Sequence, residues 1–199
     1  MKYALLGDIH SSVEDLKDVL NDIKKQAPDA ELIGTGDLFE CIISKKRAPF
    51  ERFNKLEDVM LTTDELIDML TFPSVRGNQE ERIVQITDSD EPLLRRIRRM
   101  EERILIGDSA MVIHGHQWEW GGDPWMPVFP ETGPDLIFYG HSHDSGLTIN
   151  RQMEEVGFGV PYSVTKGRTF VNVGAVVGDR TWVLYEADAG TVTFMKVID

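Results

Sequence analysis

The amino-acid sequence predicts a mixed α/β fold in a single domain over residues 1–199, and three observations carry that reading. Short apolar runs of strand length recur, each ending in a cluster of Gly and polar residues. The first two runs flank a stretch of helical periodicity, a strand–helix–strand unit that favours parallel strands with helices packed on the sheet. The last forty residues change character, alternating and becoming β-rich.

In chain order, "KYALLGDIH" reads as a buried strand over Tyr3 to Leu6, with Gly7-Asp8 opening a loop. "SSVEDLKDVLNDIKKQAPDA" places Val13, Leu16, Val19, Leu20 and Ile23 at helical spacing; Ser11 and Glu14 fit a capping box, and Pro28 stops the helix. "AELIGTGDLFE" is the second run and ends at Asp37. Helical patterns follow from about residue 48 to 72 and from about 79 to 104, the second broken around "TDSDEP". Between them "FPSVRGNQE" forms a third run that ends at Asn78. "AMVIHGHQ" then ends at His114, and "DLIFYGHSH" at His141 and His143. "RTFVNVGAV", "TWVLYEAD" and "TVTFMKVI" read as the final strands, with "DAG" as a hairpin turn.

Composition narrows the function classes. The net charge of −13 and the isoelectric point near 4.8 disfavour a long nucleic acid, which is normally bound by basic stripes. Small anionic substrates stay compatible where a metal supplies local positive charge. Cys41 is the lone cysteine, which excludes an intrachain disulfide and a cysteine-based zinc site and suits a reducing compartment. The N-terminal apolar run is too short for a signal peptide, and no stretch approaches the roughly 18 apolar residues of a membrane span. The expectation is a soluble, cytoplasmic protein that does not engage a membrane.

All five histidines, His10, His114, His116, His141 and His143, lie in loops directly after predicted strands, together with Asp8, Asp37 and Asn78. In open α/β sheets ligands bind beyond the carboxyl ends of the strands, so these loops should converge. Imidazole and carboxylate without thiolate suit Mn²⁺, Fe²⁺, Co²⁺ or Zn²⁺. Two such ions roughly 3.5–4 Å apart can share a carboxylate, clamp an in-line displacement at phosphorus and hold a bridging hydroxide as the nucleophile.

"GDIH", "GDLFE", "GNQE", "HGH" and "GHSH", in this order and each after a strand, resemble the signature of the calcineurin-like metallophosphoesterases, in particular the small bacterial and archaeal phosphodiesterase branch. The resemblance runs from Asp8 to about Gly174, where "FVNVGAV" is similar to the family's "INPGS" segment. It implies a four-layer αββα sandwich, with about residues 45–104 forming a helical rim near the site. It implies two divalent metal ions, Mn²⁺ first, with Fe, Co, Ni or Zn as alternatives. Asp8, His10, Asp37 and His143 would hold one ion, with Asp37 bridging; Asn78, His114 and His141 would complete the second site. Asp8, His10, Asp37, Asn78 and His114 would carry catalysis, and Asn78 would also touch the substrate phosphate. His116 matches no usual ligand and reads as a supporting residue. The chain departs from "GNH[DE]" at Gln79, and glutamine cannot act as a general acid near neutral pH. That shifts the expected leaving groups toward nucleotides, pyrophosphates or aryl esters.

Candidate substrate contacts carry a structural alternative. Lys45, Lys46 and Arg47 either reach distal phosphates or form a solvated loop. Arg76 either binds phosphate or forms a buried salt bridge. "RRIRRMEER", residues 95–103, spreads its arginines around a helix where they pair with nearby acids. Trp118, followed by Trp120 and Trp125, either stacks a nucleobase or packs the loop, and the "GGDP" turn can point the rings either way. The resulting reading is a dinuclear-metal phosphoesterase acting on a small, nucleotide-like phosphodiester or phosphoanhydride. The alternatives are a nuclease of short fragments, a phosphoprotein phosphatase, and a catalytically weak metal-binding scaffold for protein assembly, as in the similar retromer subunit.

Overall fold

In the computed structural model, which describes residues 1–122 and 125–198, two β-sheets share one apolar interior. The first has five strands in the order Pro161–Ser163, Thr191–Lys196, Thr181–Glu186, Lys2–Leu6, Glu31–Gly34. The second has six, in the order Gln152–Glu154, Ser145–Ile149, Thr169–Val173, Leu136–Tyr139, Ala110–Ile113, Arg103–Ile106. Side chains alternate between sheet faces along each strand. Leu5, Ile33 and Val183 therefore meet Val112, Phe138 and Val171 between the sheets, while Ala4 and Leu6 point the other way.

That other face of the first sheet is covered by the helix Val13–Gln26 through Leu16, Val19 and Ile23. Its ends obey the macrodipole, with Glu14 and Asp15 in the first turn and Lys24 and Lys25 in the last. Trp182, fully buried, ties it to the sheet by donating from Nε1 to Asp22 Oδ2 at 2.9 Å. The cap differs from the expected Ser11–Glu14 box. Ser12 occupies the cap and donates to Asp15 Oδ2 at 2.6 Å, whereas Ser11 lies in the left-handed region with φ 60°. Its hydroxyl instead joins two loops, donating to the Leu61 carbonyl and accepting from the Glu40 amide.

The sharpest departure is residues 48–72. Only Asp64–Met69 forms an α-helix, started by Thr63, whose hydroxyl accepts from the Leu66 amide at 3.1 Å. Before it come two short 3₁₀ turns, Ala48–Phe50 and Leu56–Asp58, and a strand Met60–Leu61 paired with Glu40–Cys41. The apolar spacing is real, but Ala48, Leu56, Val59 and Met60 satisfy it by dropping into the core beside the Val13–Gln26 helix, so packing overrides helical propensity. The second helical stretch divides as expected into Asn78–Ile86 and Pro92–Arg98, while its tail becomes the edge strand Arg103–Ile106. "FPSVR" makes single bridges rather than a full strand: Ser74 to Gly34 and Val75 to Glu101, stitching the edges of the two sheets together.

The mixed α/β class holds, but the fourth, helical layer is absent among the described residues. The outer face of the second sheet, Met111, Ile137, Tyr139 and Phe170, is covered by Trp118, Trp120 and Phe129. The chain after His114 supplies aromatic bulk interrupted by Gly and Pro, so a loop does the covering. No helix among the described residues is long and apolar enough to cross a membrane.

Candidate metal centre

Lys2–Leu6 runs parallel to Glu31–Gly34, and Ala110–Ile113, Leu136–Tyr139 and Thr169–Val173 are mutually parallel. Their carboxyl ends deliver Asp8 and His10, Asp37, His114, and His141 and His143 to one place. Asp8, His10, Asp37, His141 and His143 all sit at left-handed φ, between 47° and 77°. Such backbone is uncommon outside glycine and concentrates at functional sites. Two glycines make the crowding possible. A Cβ on Gly77 would lie 2.1 Å from Asp37 Oδ1, and one on Gly140 would lie 2.4 Å from Asp8 Oδ2.

The donor atoms fall into two groups, each within 4.8 Å: Asp8, His10 and His143, and Asp37, His114 and His141. In the first, His10 Nε2 and His143 Nε2 face each other at 3.2 Å, and Asp8 Oδ1 lies 3.5 Å from His143 Nε2. In the second, His114 Nε2 is 3.4 Å from Asp37 Oδ2 and 3.3 Å from Asn78 Oδ1. Asp37 also comes within 3.8 Å of His10, which places it between the groups.

This donor set fits cations. His114 Nδ1 is 2.8 Å from the Thr35 carbonyl and His10 Nδ1 is 2.5 Å from Glu40 Oε2. With protons on those nitrogens, both Nε2 lone pairs point into the site, where they meet carboxylate and amide oxygens. Asp8 Oδ1 is buried with no hydrogen-bond partner. Converging acceptors and an orphaned carboxylate oxygen repel one another unless positive charge lies among them.

The electrostatics of the protein alone show the same demand. Burial pushes the His114 imidazole down, but the Asp37 and Asp8 carboxylates and the Thr35 carbonyl outweigh it and raise it to about 9. Asp37 shows the converse: burial pushes it up, and the His114 charge with the Gln79 amide brings it down to about 2. Burial, reinforced by the His114 charge, lowers His141 to about 4, leaving it neutral and ready as a ligand.

Two supporting carboxylates also belong to the site, Glu80 and Glu40, and neither is among the candidates that the motifs pick out. Fully buried Glu80 accepts from the amides of Asp37 (3.0 Å), Phe39 (3.0 Å) and Gly77 (2.8 Å), clamping the Asp37 loop to the Asn78 loop. Burial and the Asp37 charge raise it to about 7 against the pull of those amides. Its position three residues into the Asn78–Ile86 helix, behind the cap Gly77, has the capping-box spacing, which is the signal that could find it. Glu40 orients His10, and its signal is only the last letter of "GDLFE".

The remaining candidates scatter. Lys45 is exposed near enough to His141 for its charge to bear on that imidazole, whereas Lys46 is simply exposed. Arg47 is engaged with Glu51 through two contacts of 2.6 Å. Arg76 lies between Glu102 at 3.4 Å and Glu81 at 3.9 Å. In the 95–103 cluster Arg95 pairs with Asp90, while Arg96 and Arg98 donate to the carbonyls of Leu70 and of Thr87 and Ser89. Gln79 turns inward, accepting from the Cys41 amide and from Arg82. His116 Nε2 lies 3.1 Å from Glu81 Oε2, with its ring 5.2 Å from that of His114. Trp118 packs on Tyr139, Phe129 and Phe170, away from the ligands. Trp120 and Trp125 instead lie 5.3 and 5.6 Å from the His141 ring. Half of the "GGDP" turn, Asp123 and Pro124, lies outside the described residues.

Comparison with known proteins bears on the family and the fold. Residues 1–190 match the family model described as the calcineurin-like phosphoesterase superfamily domain. Among solved structures, the chain is similar to a metallophosphoesterase from Sphaerobacter thermophilus, with 19% identity, a TM-score of 0.67, and coverage of 100% of this chain and 89% of that one. It also matches a phosphoesterase from E. coli at 15% identity and a TM-score of 0.49, covering 100% of both chains. No curated protein sequence matches.

Proposed function

The chain belongs to the calcineurin-like phosphoesterase superfamily, and on that premise we propose that it is a dinuclear-metal phosphoric ester hydrolase acting on a nucleotide-like phosphodiester or phosphoanhydride. The observation that carries this reading is the pair of donor groups meeting at Asp37, with Asp8 Oδ1 left without a hydrogen-bond partner. Asp8, His10 and His143 would hold one divalent cation, and His114, His141 and Asn78 the other, with Asp37 shared between them. Bound there, such ions supply Lewis acidity toward phosphoryl oxygens and a water-derived nucleophile at neutral pH. The nitrogen and oxygen donors suit Mn²⁺ first, with Fe, Co, Ni or Zn as alternatives.

The chain's own groups do the positioning. The amide of Gln79, in the first turn of the Asn78–Ile86 helix, donates to Asp37 Oδ1 at 2.8 Å and orients that carboxylate. Asn78 points its Oδ1 at His114, which leaves its amide hydrogens for a phosphoryl oxygen. A cavity of about 190 Å³ beside Asn78, lined among the described residues by Lys45 and Arg82 with Glu81 as its one acid, carries a net positive charge for a further phosphate. Gln79 is held by Cys41 and Arg82, so the position used for a histidine elsewhere in the family carries no acid. That favours esters whose leaving group departs as a stable anion, such as an aryl oxide or a nucleotide.

The test is hydrolysis of bis-p-nitrophenyl phosphate by purified protein with Mn²⁺, which Asp37→Ala and His114→Ala should each abolish. Activity surviving in both variants would remove the reaction from this site.

A further inference from the structure

A cavity of about 280 Å³ lies beside the loop that carries His141 and His143. Trp120 and Trp125 line it from the loop after His114, Tyr139 and Asn172 from the second sheet, and Ser142 and Asp144 from the ligand loop itself. Trp120 is locked in place, donating from Nε1 to the Gly115 carbonyl at 2.9 Å. Trp125 leans on it with ring centroids 4.5 Å apart and planes 31° apart, yet remains 49% exposed. A large aromatic ring with so much surface in water, held beside a metal-ligand candidate, has apolar area available for a planar partner.

The charge around this cavity says what kind of partner. Among the described residues lining it there is no Lys, Arg or His, and Asp144 is the one ionisable carboxyl group. A phosphate is disfavoured here, in contrast to the cavity beside Asn78, where Lys45 and Arg82 outnumber Glu81. Asn172 donates to Ser142 Oγ at 2.6 Å, so polar groups line one wall while the indoles form another. An uncharged ring with polar edges, the chemistry shared by nucleobases and substituted aryl groups, matches both walls and the volume.

We propose that this cavity is the subsite for a planar aromatic group of the substrate, with Trp125 as the stacking platform and Trp120 holding it beside His141. The assignment rests on the hydrolase reading of the neighbouring clusters, so the probe must also report without turnover. Adenosine, which carries no phosphate, should quench the tryptophan fluorescence of the metal-free protein, and Trp125→Ala should remove that quenching. With Mn²⁺, the same variant should lower the ratio of kcat/KM for a phenyl phosphodiester to that for its methyl counterpart by roughly 5- to 150-fold, the range of one base–aromatic stacking contact. Trp125→Phe, which keeps a ring but not the fluorophore, should recover most of the ester ratio. Undiminished quenching in Trp125→Ala, or an unchanged ester ratio, overturns the subsite. A wild-type protein that turns over neither ester while adenosine still quenches would instead overturn the hydrolase reading and leave the subsite standing. Within the substrate, a nucleoside ester preferred over the phenyl ester identifies the ring as a base; equal rates identify a general aryl site.

Discussion

The donor side chains are held in two different ways. His114 and Asp37 are 0% and 3% exposed, His114 fixed by the Thr35 carbonyl and Asp37 by the Gln79 amide and the Glu80 clamp on its loop. His10 and His143 are 14% and 43% exposed, and among the described contacts only Glu40 and the neighbouring ligands steady them. Asp8 is 0% exposed as well. A buried half of the centre (Asp8, Asp37 and His114) therefore extends the core and an open half (His10 and His143) reaches solvent, a division that cuts across the two donor groups. The difference teaches that loss of a buried ligand should damage fold and chemistry together, whereas loss of an exposed one should mainly weaken metal retention.

The largest expected effect is Asp37→Ala, because Asp37 faces both halves. Hydrolysis of bis-p-nitrophenyl phosphate should fall on the order of 1,000-fold, about 4 kcal/mol in the barrier, and added Mn²⁺ should not restore it. Gly77→Ala strikes the same carboxylate by overpacking, since the new Cβ would meet Asp37 Oδ1. It should cost about 1–3 kcal/mol of stability, read from denaturant melts, together with most of the activity. His143→Ala against His114→Ala tests the asymmetry itself. The His143 variant should regain much of its rate at high Mn²⁺ and the His114 variant should not; equal rescue would erase the distinction between the halves. Glu40→Gln should weaken metal binding about 10-fold, measured by chelator competition, because the carboxylate that orients His10 would be gone.

The smallest effect is a pH dependence confined to the metal-free protein. His114 is raised from 6.5 to about 9, so the stability it contributes is complete below about pH 6.5 and disappears as pH rises through 9. The melting temperature of chelator-treated protein should therefore drop by a few degrees between about pH 7 and pH 10. The Mn²⁺-loaded protein should show no such drop, because a ligating imidazole is already neutral.

Much of the buried half is legible in the order of residues alone. A short strand ending in a Gly-containing loop with a donor residue is a local pattern, and Asp8, Asp37, His114 and His141 each lie next to a Gly and within three residues of a strand's carboxyl end. Glu80 is legible in principle from its capping spacing. The rim is not. Residues 48–63 carry helix-like apolar spacing but fold as turns and a short ribbon, because their apolar side chains bury against the Val13–Gln26 and Asn78–Ile86 helices. Trp118 and Trp125 are equivalent as letters. One packs on Phe129 and Tyr139, and the other lies half-exposed beside His141.

What the sequence determined by itself was which imidazole and carboxylate residues stand at strand ends and their order along the chain. Hydrophobic periodicity and glycine are short-range constraints, written within a few residues of where they act. What only the tertiary structure decided was the division into a buried and an open half, the pairing of Arg76 with two glutamates, and the direction of the indoles. Those depend on long side chains and aperiodic loops meeting partners from distant parts of the chain. No local pattern specifies such a meeting, and packing density settles it only once both sheets are in place.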